Sequence, residues 1–200
     1  MKTESILFAI GGMLFGVIVG WIIGAQQPGR LGAPRAVAQD TAPPAGGQQP
    51  QQQAAVLDEG RVQALRTIVD SDPKNAEARV QLGNVYFDAE RYKDAIRWYE
   101  EALQLDPKNV NVSTDLGVSY YYIDNPDRAL KQFEHSLSID PRHTKTLLNQ
   151  GIVLAFGKQD LDAATASWQK VVELAPNSQE GQAARRALDS MKSAHPGGTQ

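Results

Sequence analysis

Pro73, Pro107 and Pro141 recur with a period of 34, and Pro176 follows after 35. Gly83, Gly117 and Gly151 keep the same period, as do Ala95, Ala129 and Ala163. A chain that places Gly, Ala and Pro at fixed offsets is building one supersecondary unit repeatedly. This period predicts an all-α stack of helix hairpins, each unit burying its apolar face against its neighbours. Such stacks present an extended surface suited to binding rather than to chemistry.

The offsets explain themselves mechanically. In the first unit, 76–109, Gly83 and Ala95 are small where two helices cross, while Leu82, Tyr86, Tyr99 and Leu103 supply bulk at helical spacing. Asp106-Pro107 ends the second helix and starts the next unit. The second unit, 110–143, repeats the set as Leu116, Gly117, Tyr120, Ala129, Phe133, Ser136 and Pro141. The third, 144–177, carries Gln150, Gly151, Leu154, Ala164, Trp168, Val171 and Pro176. One extra residue, expected in its turn near Gly157–Asp162, accounts for the final interval. Gln150 stands where a large apolar residue is usual, which predicts less regular packing in this unit. Residues 57–73 read as the second half of a preceding unit. Residues 178–192 read as a capping helix, with Ala183, Ala184, Ala187, Leu188 and Met191 inward and Arg185, Arg186 and Asp189 wet.

These units resemble tetratricopeptide repeats over residues 76–177. The resemblance implies eight helices in a right-handed superhelix across residues 57–193, with a tail at 194–200. It also implies that the first helix of each unit lines a concave groove. Carried onto this chain, the first unit contributes Glu77, Val80, Asn84, Phe87 and Asp88. The second contributes Asn111, Thr114, Val118, Tyr121 and Tyr122, and the third Lys145, Leu148, Ile152, Ala155 and Phe156. Phe87, Tyr121, Tyr122 and Phe156 flanked by Val80, Val118 and Ile152 predict a mostly apolar groove for a partner protein or peptide. Asn84 and the Tyr hydroxyls are then available to its backbone. The same aromatics also serve to fill a superhelix. Members of this family that hold chaperone tails clamp a carboxylate with Lys, Asn and Arg; here Asn84 matches, while Val80 and Thr114 replace the cations.

Composition narrows the partner class. Of 20 Lys and Arg, three precede residue 57, and of 23 Asp and Glu, two do, so the repeats carry 17 against 21 with signs mixed. No basic stripe is visible, which argues against nucleic acid. The absence of Cys removes thiolate chemistry and Cys-based zinc sites. His135 falls on a wet face, His143 in a turn and His195 in the tail, without metal-ligand spacing. No nucleophile–base arrangement or phosphate loop appears. The expected chain is a binding protein rather than an enzyme, with no cofactor and no metal.

Ahead of the repeats, residues 6–24 are uncharged and apolar. At 1.5 Å per residue they extend about 28 Å, close to the hydrocarbon thickness of a bilayer, so 1–25 are expected to form a transmembrane anchor. A signal peptide cleaved after Ala38 is the alternative, although secretory apolar runs are usually shorter. Gly12, Gly16, Gly20 and Gly24 recur at every fourth position, a spacing that suits helix–helix association, either as a homodimer or onto a membrane partner. Residues 26–56, rich in Pro, Gly, Ala and Gln, are expected to be a disordered tether. The positive-inside count is nearly tied. The short N-terminal tail and Ala36-Val37-Ala38 favour an inner-membrane protein with periplasmic repeats. This layout is similar to membrane-anchored bacterial accessory proteins of c-type cytochrome biogenesis. An assembly factor for an outer-membrane, pilus or secretion complex, or a non-catalytic enzyme subunit, is the other reading.

Overall fold

The computed structural model describes residues 56–194. The apolar run at 6–24, its four spaced glycines and the tether lie outside the described residues. Eight α-helices and no strands occur among those described: α1 (Glu59–Ser71), α2 (Ala76–Asp88), α3 (Tyr92–Leu105), α4 (Val110–Tyr122), α5 (Pro126–Ile139), α6 (Thr144–Ile152), α7 (Leu161–Leu174) and α8 (Gln179–Ala194). None of them is long and apolar enough to cross a membrane.

The repeat period is enforced at three places in each unit. Between units, Asp72, Asp106 and Asp140 accept the N–H of Asn75, Asn109 and His143 at 3.0, 3.3 and 3.2 Å. Proline follows each Asp, where its fixed φ suits the second position of a turn. Asn75 and Asn109 then cap α2 and α4, accepting the N–H of Ala78 and Val112 through their side-chain oxygens. Within units, Glu90, Asp124 and Gln159 adopt φ of 58°, 58° and 57°. The N–H groups of Glu90 and Arg91 bond back to Phe87 and Tyr86, satisfying carbonyls that α2 leaves open.

The third place is the contact of helix on helix. A Cβ added at Gly83 would lie 2.3 Å from Tyr99, at Gly117 2.5 Å from Phe133, and at Gly151 2.3 Å from Trp168. Each pairing is one small residue beneath one large ring. Successive units are also tied together. Arg66 donates to the Tyr86 hydroxyl at 3.0 Å, and Tyr120, one repeat further on, donates to Glu100. Leu154 takes that offset in the third unit and ends the series. On α8, Ala183, Ala184 and Ala187 are buried, while Arg185, Arg186 and Asp189 face water.

The extra residue of the third unit is not in its turn. Gln159 precedes the start of α7 by the same step as Glu90 precedes α3 and Asp124 precedes α5, so the turn is unchanged. The insertion is absorbed one turn earlier, where Val153–Gly157 continues α6 as a π-helical segment. The Asp160 N–H reaches back to the Leu154 carbonyl, one position further than Arg91 reaches to Tyr86 or Asn125 to Tyr120. A single added residue commonly enters a helix as a π-bulge. Gln150 is partly buried and accepts from Ser167 at 3.3 Å.

Candidate functional site

The first helices of the units carry most of the residues expected to meet a partner. Val80, Phe87, Val118 and Tyr121 are partly buried with their inner sides on the core, and Asp88 is exposed. Phe87 sets its edge against Tyr122, centroids 5.8 Å apart, and Tyr121 tilts against Tyr122 at 6.3 Å. Phe87, Tyr121 and Tyr122, from α2 and α4, thus come together.

Sequence reasoning missed a fourth ring in this cluster. Tyr92, first residue of α3, stacks on Tyr122 with centroids 4.4 Å apart and planes within 6°. It also meets Phe87 edge-on at 5.3 Å. The groove offsets belong to first helices alone and so pass over it. Tyr92 reaches the cluster because the short turn after α2 brings the chain straight back beside Phe87.

Polar groups border the rings. The Tyr99 hydroxyl donates to Asn84 Oδ1 at 2.8 Å, which fixes the amide. Burial drives the Tyr99 hydroxyl far above its ordinary pKa, and the carboxylates of Asp115 and Asp88 reinforce this. Asp88 is itself raised by burial, with Arg61 opposing and Asp115 adding. Burial pushes Tyr92 up to about 12, helped by Glu90, and raises Tyr122 as well. These phenols stay neutral in the physiological range, so they serve as hydrogen-bonding hydroxyls on apolar rings.

The groove does not run on into the third unit as expected. Thr114 is fully buried, and Leu148, Ile152 and Ala155 are 2%, 4% and 7% exposed. Ile152 is therefore a core side chain and not a groove-lining one. A polar seam also links α4 to the start of α6. Thr114 and Thr146 hydroxyls approach to 2.6 Å, Lys145 Nζ donates to Asp115 at 2.7 Å, and His143 Nε2 faces Asn111 Oδ1 at 3.1 Å. Asn111, Thr114 and Lys145 are spent in that seam. Phe156, 36% exposed, stands on the π segment instead. Beside it, a Cβ on Gly157 would lie 2.9 Å from Pro126 and 3.1 Å from Tyr121, so the segment is pressed onto the second unit. The rings that come together are those of Phe87, Tyr92, Tyr121 and Tyr122, while Val80, Asn84, Asp88 and Val118 stand on the same two first helices and Phe156 lies next to Gly157 on the adjoining segment.

A separate cavity of about 170 Å³, lined by Ala76, Glu77, Val80, Ala102, Asp106, Asn109 and Val112, opens at the start of α2. It is smaller than the roughly 300–1,000 Å³ typical of sites for drug-sized ligands. Among the described residues no three His, Asp or Glu side chains gather to hold a metal ion.

Residues 83–123, from mid-α2 to the end of α4, match the family model described as TPR repeat. The array has the TPR fold. It is similar to the structure of the first TPR of Spaghetti (RPAP3) bound to an HSP90 peptide, with 26% identity and a TM-score of 0.55, covering 62% of this chain and 94% of that one. It is also similar to MamA, at 20% identity and TM-score 0.55 over 64% of this chain and 77% of that one. The TPR domain of Arabidopsis OM64 superposes with TM-score 0.53 at 18% identity, over 58% of this chain and 95% of that one. No curated protein matches the chain in sequence.

Proposed function

We propose that this chain is a non-catalytic TPR scaffold that recruits a protein by holding one of its segments against Phe87, Tyr92, Tyr121 and Tyr122. The observation that carries this reading is the four-ring cluster with its polar border. Rigid aromatics with polar tips supply large contact area at small cost in conformational entropy, and such anchors dominate binding energy at interfaces. The RPAP3 TPR, a structural neighbour, was solved with a bound peptide, which supports the same use of the fold here.

The apolar run at 6–24 is read as the anchor that places this scaffold at an envelope membrane, with the repeats in the periplasm and 26–56 as the tether. Gly12, Gly16, Gly20 and Gly24 would supply the face for self-association or for a membrane partner. The layout favours an accessory role in c-type cytochrome maturation, by analogy alone. Replacing Phe87 and Tyr122 by Ala should weaken partner binding by about 30-fold or more, the level of about 2 kcal/mol expected of a hot spot. Retention of every partner by this folded variant would reject the groove.

A further inference from the structure

The cluster carries a charge as well as an apolar surface, and the charge selects an occupant. Glu90 and Asp124 hold equivalent left-handed turn positions at the C-terminal ends of α2 and α4, one repeat apart. Glu90 acts on both Tyr92 and Tyr122, and Asp124 on Tyr121, each through its negative field. Asp88, next to Phe87 in the chain, shares its field with Asp115 and the Tyr99 hydroxyl and not with the stacked rings. Three cations are paired with carboxylates: Lys145 bonds Asp115, Lys158 bonds Asp127 at 2.7 Å, and Arg91 bonds Asp94 at 2.7 Å. Arg61, from α1, opposes Asp88.

A ring cluster with a carboxylate in each of its two turns is complementary to a cation. The ring faces are negative and attract Lys or Arg, at roughly 0.5–2 kcal/mol per contact depending on desolvation. Neighbouring carboxylates steer the same charge in and repel an acidic segment. Resting on the groove reading above, we propose that this site takes a basic segment of a partner protein, seating a Lys or Arg side chain at the Tyr92–Tyr122 stack between the turns that carry Glu90 and Asp124. An acidic tail of the sort seen bound to the RPAP3 TPR is then excluded by charge.

The test uses the full chain in detergent micelles and three labelled synthetic peptides. One alternates Leu and Tyr with Lys; its twins carry Gln or Glu in place of Lys. Fluorescence anisotropy should show the Lys peptide binding at least about tenfold tighter than the Gln twin, with the Glu twin weakest and the gap narrowing at high salt. Glu90→Gln with Asp124→Asn should bring the Lys and Gln peptides within about threefold of each other. Equal affinity for all three peptides, with Tyr122→Ala still abolishing binding, overturns the charge inference and keeps the groove. Binding that Tyr122→Ala leaves intact overturns the groove itself. A self-associated form of the protein that the Lys peptide fails to dissociate overturns the basic partner in favour of a second copy.

Discussion

Replacing Gly117 by Ala should destabilise the protein although Ala is the better helix former. The added Cβ would stand 2.5 Å from Phe133 Cε1, 2.7 Å from Cδ1 and 3.2 Å from Cζ. Carbon atoms settle about 3.5–4.0 Å apart, so ring or helix must retreat by about 1 Å. Phe133 is fully buried at the crossing of α4 and α5. Overpacking of this kind costs about 1–3 kcal/mol, while the gain in helix propensity is about 1 kcal/mol. The net expectation is a loss of up to about 2 kcal/mol, read from the shift in urea midpoint at constant slope. In a Phe133→Ala background the clash is gone. There Gly117→Ala should stabilise by about 1 kcal/mol, a coupling of about 1–3 kcal/mol between the two sites. The same sign in both backgrounds, or stabilisation of the wild type, would refute the account of why Gly recurs once in every repeat.

The left-handed turns make a second prediction: Glu90→Gly should stabilise by about 0.5–1 kcal/mol, the relief of an L-residue's strain less the extra freedom of Gly when unfolded. A lower thermal midpoint for that variant would contradict it. For His143, burial is the largest cause lowering its pKa below 6.5, with Lys145 acting the same way and Asp140, Asp115 and Glu180 opposing. A His that resists protonation when folded leaves stability intact above about pH 6.5 and loses it as pH falls from there toward the folded pKa. His143→Asn, which restores the residue found at Asn75 and Asn109, should flatten stability between about pH 7 and its acid limit; an unchanged slope would assign the loss elsewhere.

Much of this was legible in the chain because stacking forces repetition. Each unit must bring a second-helix ring onto a first-helix glycine, so Gly83, Gly117 and Gly151 report the crossings directly. The interval of 35 revealed the inserted residue but not its place. Nothing in Val153–Gly157 distinguishes a helix that bulges from a turn that lengthens, since both keep the same residues on either side. The groove expectation reaches too far for a related reason. Offsets assign Thr114, Leu148 and Ile152 to a face without saying whether two first helices close over it. The signal was present in the polar pairs Asn111–His143, Thr114–Thr146 and Asp115–Lys145, which link α4 to α6 almost one repeat apart. Tyr92 lay beyond any first-helix offset and needed the turn geometry to find it.

The central claim is that partners dock on the ring cluster between α2, α3 and α4. Site-specific photo-crosslinking in living cells tests it most directly, with the probe placed in turn at Asn84, Asp88 and Tyr121, and at the exposed Gln104 and His135 on second helices as controls. The account predicts one protein crosslinked from 84, 88 and 121 and not from 104 or 135. The same adduct formed from 104 and 135 but absent at 84, 88 and 121 would contradict it.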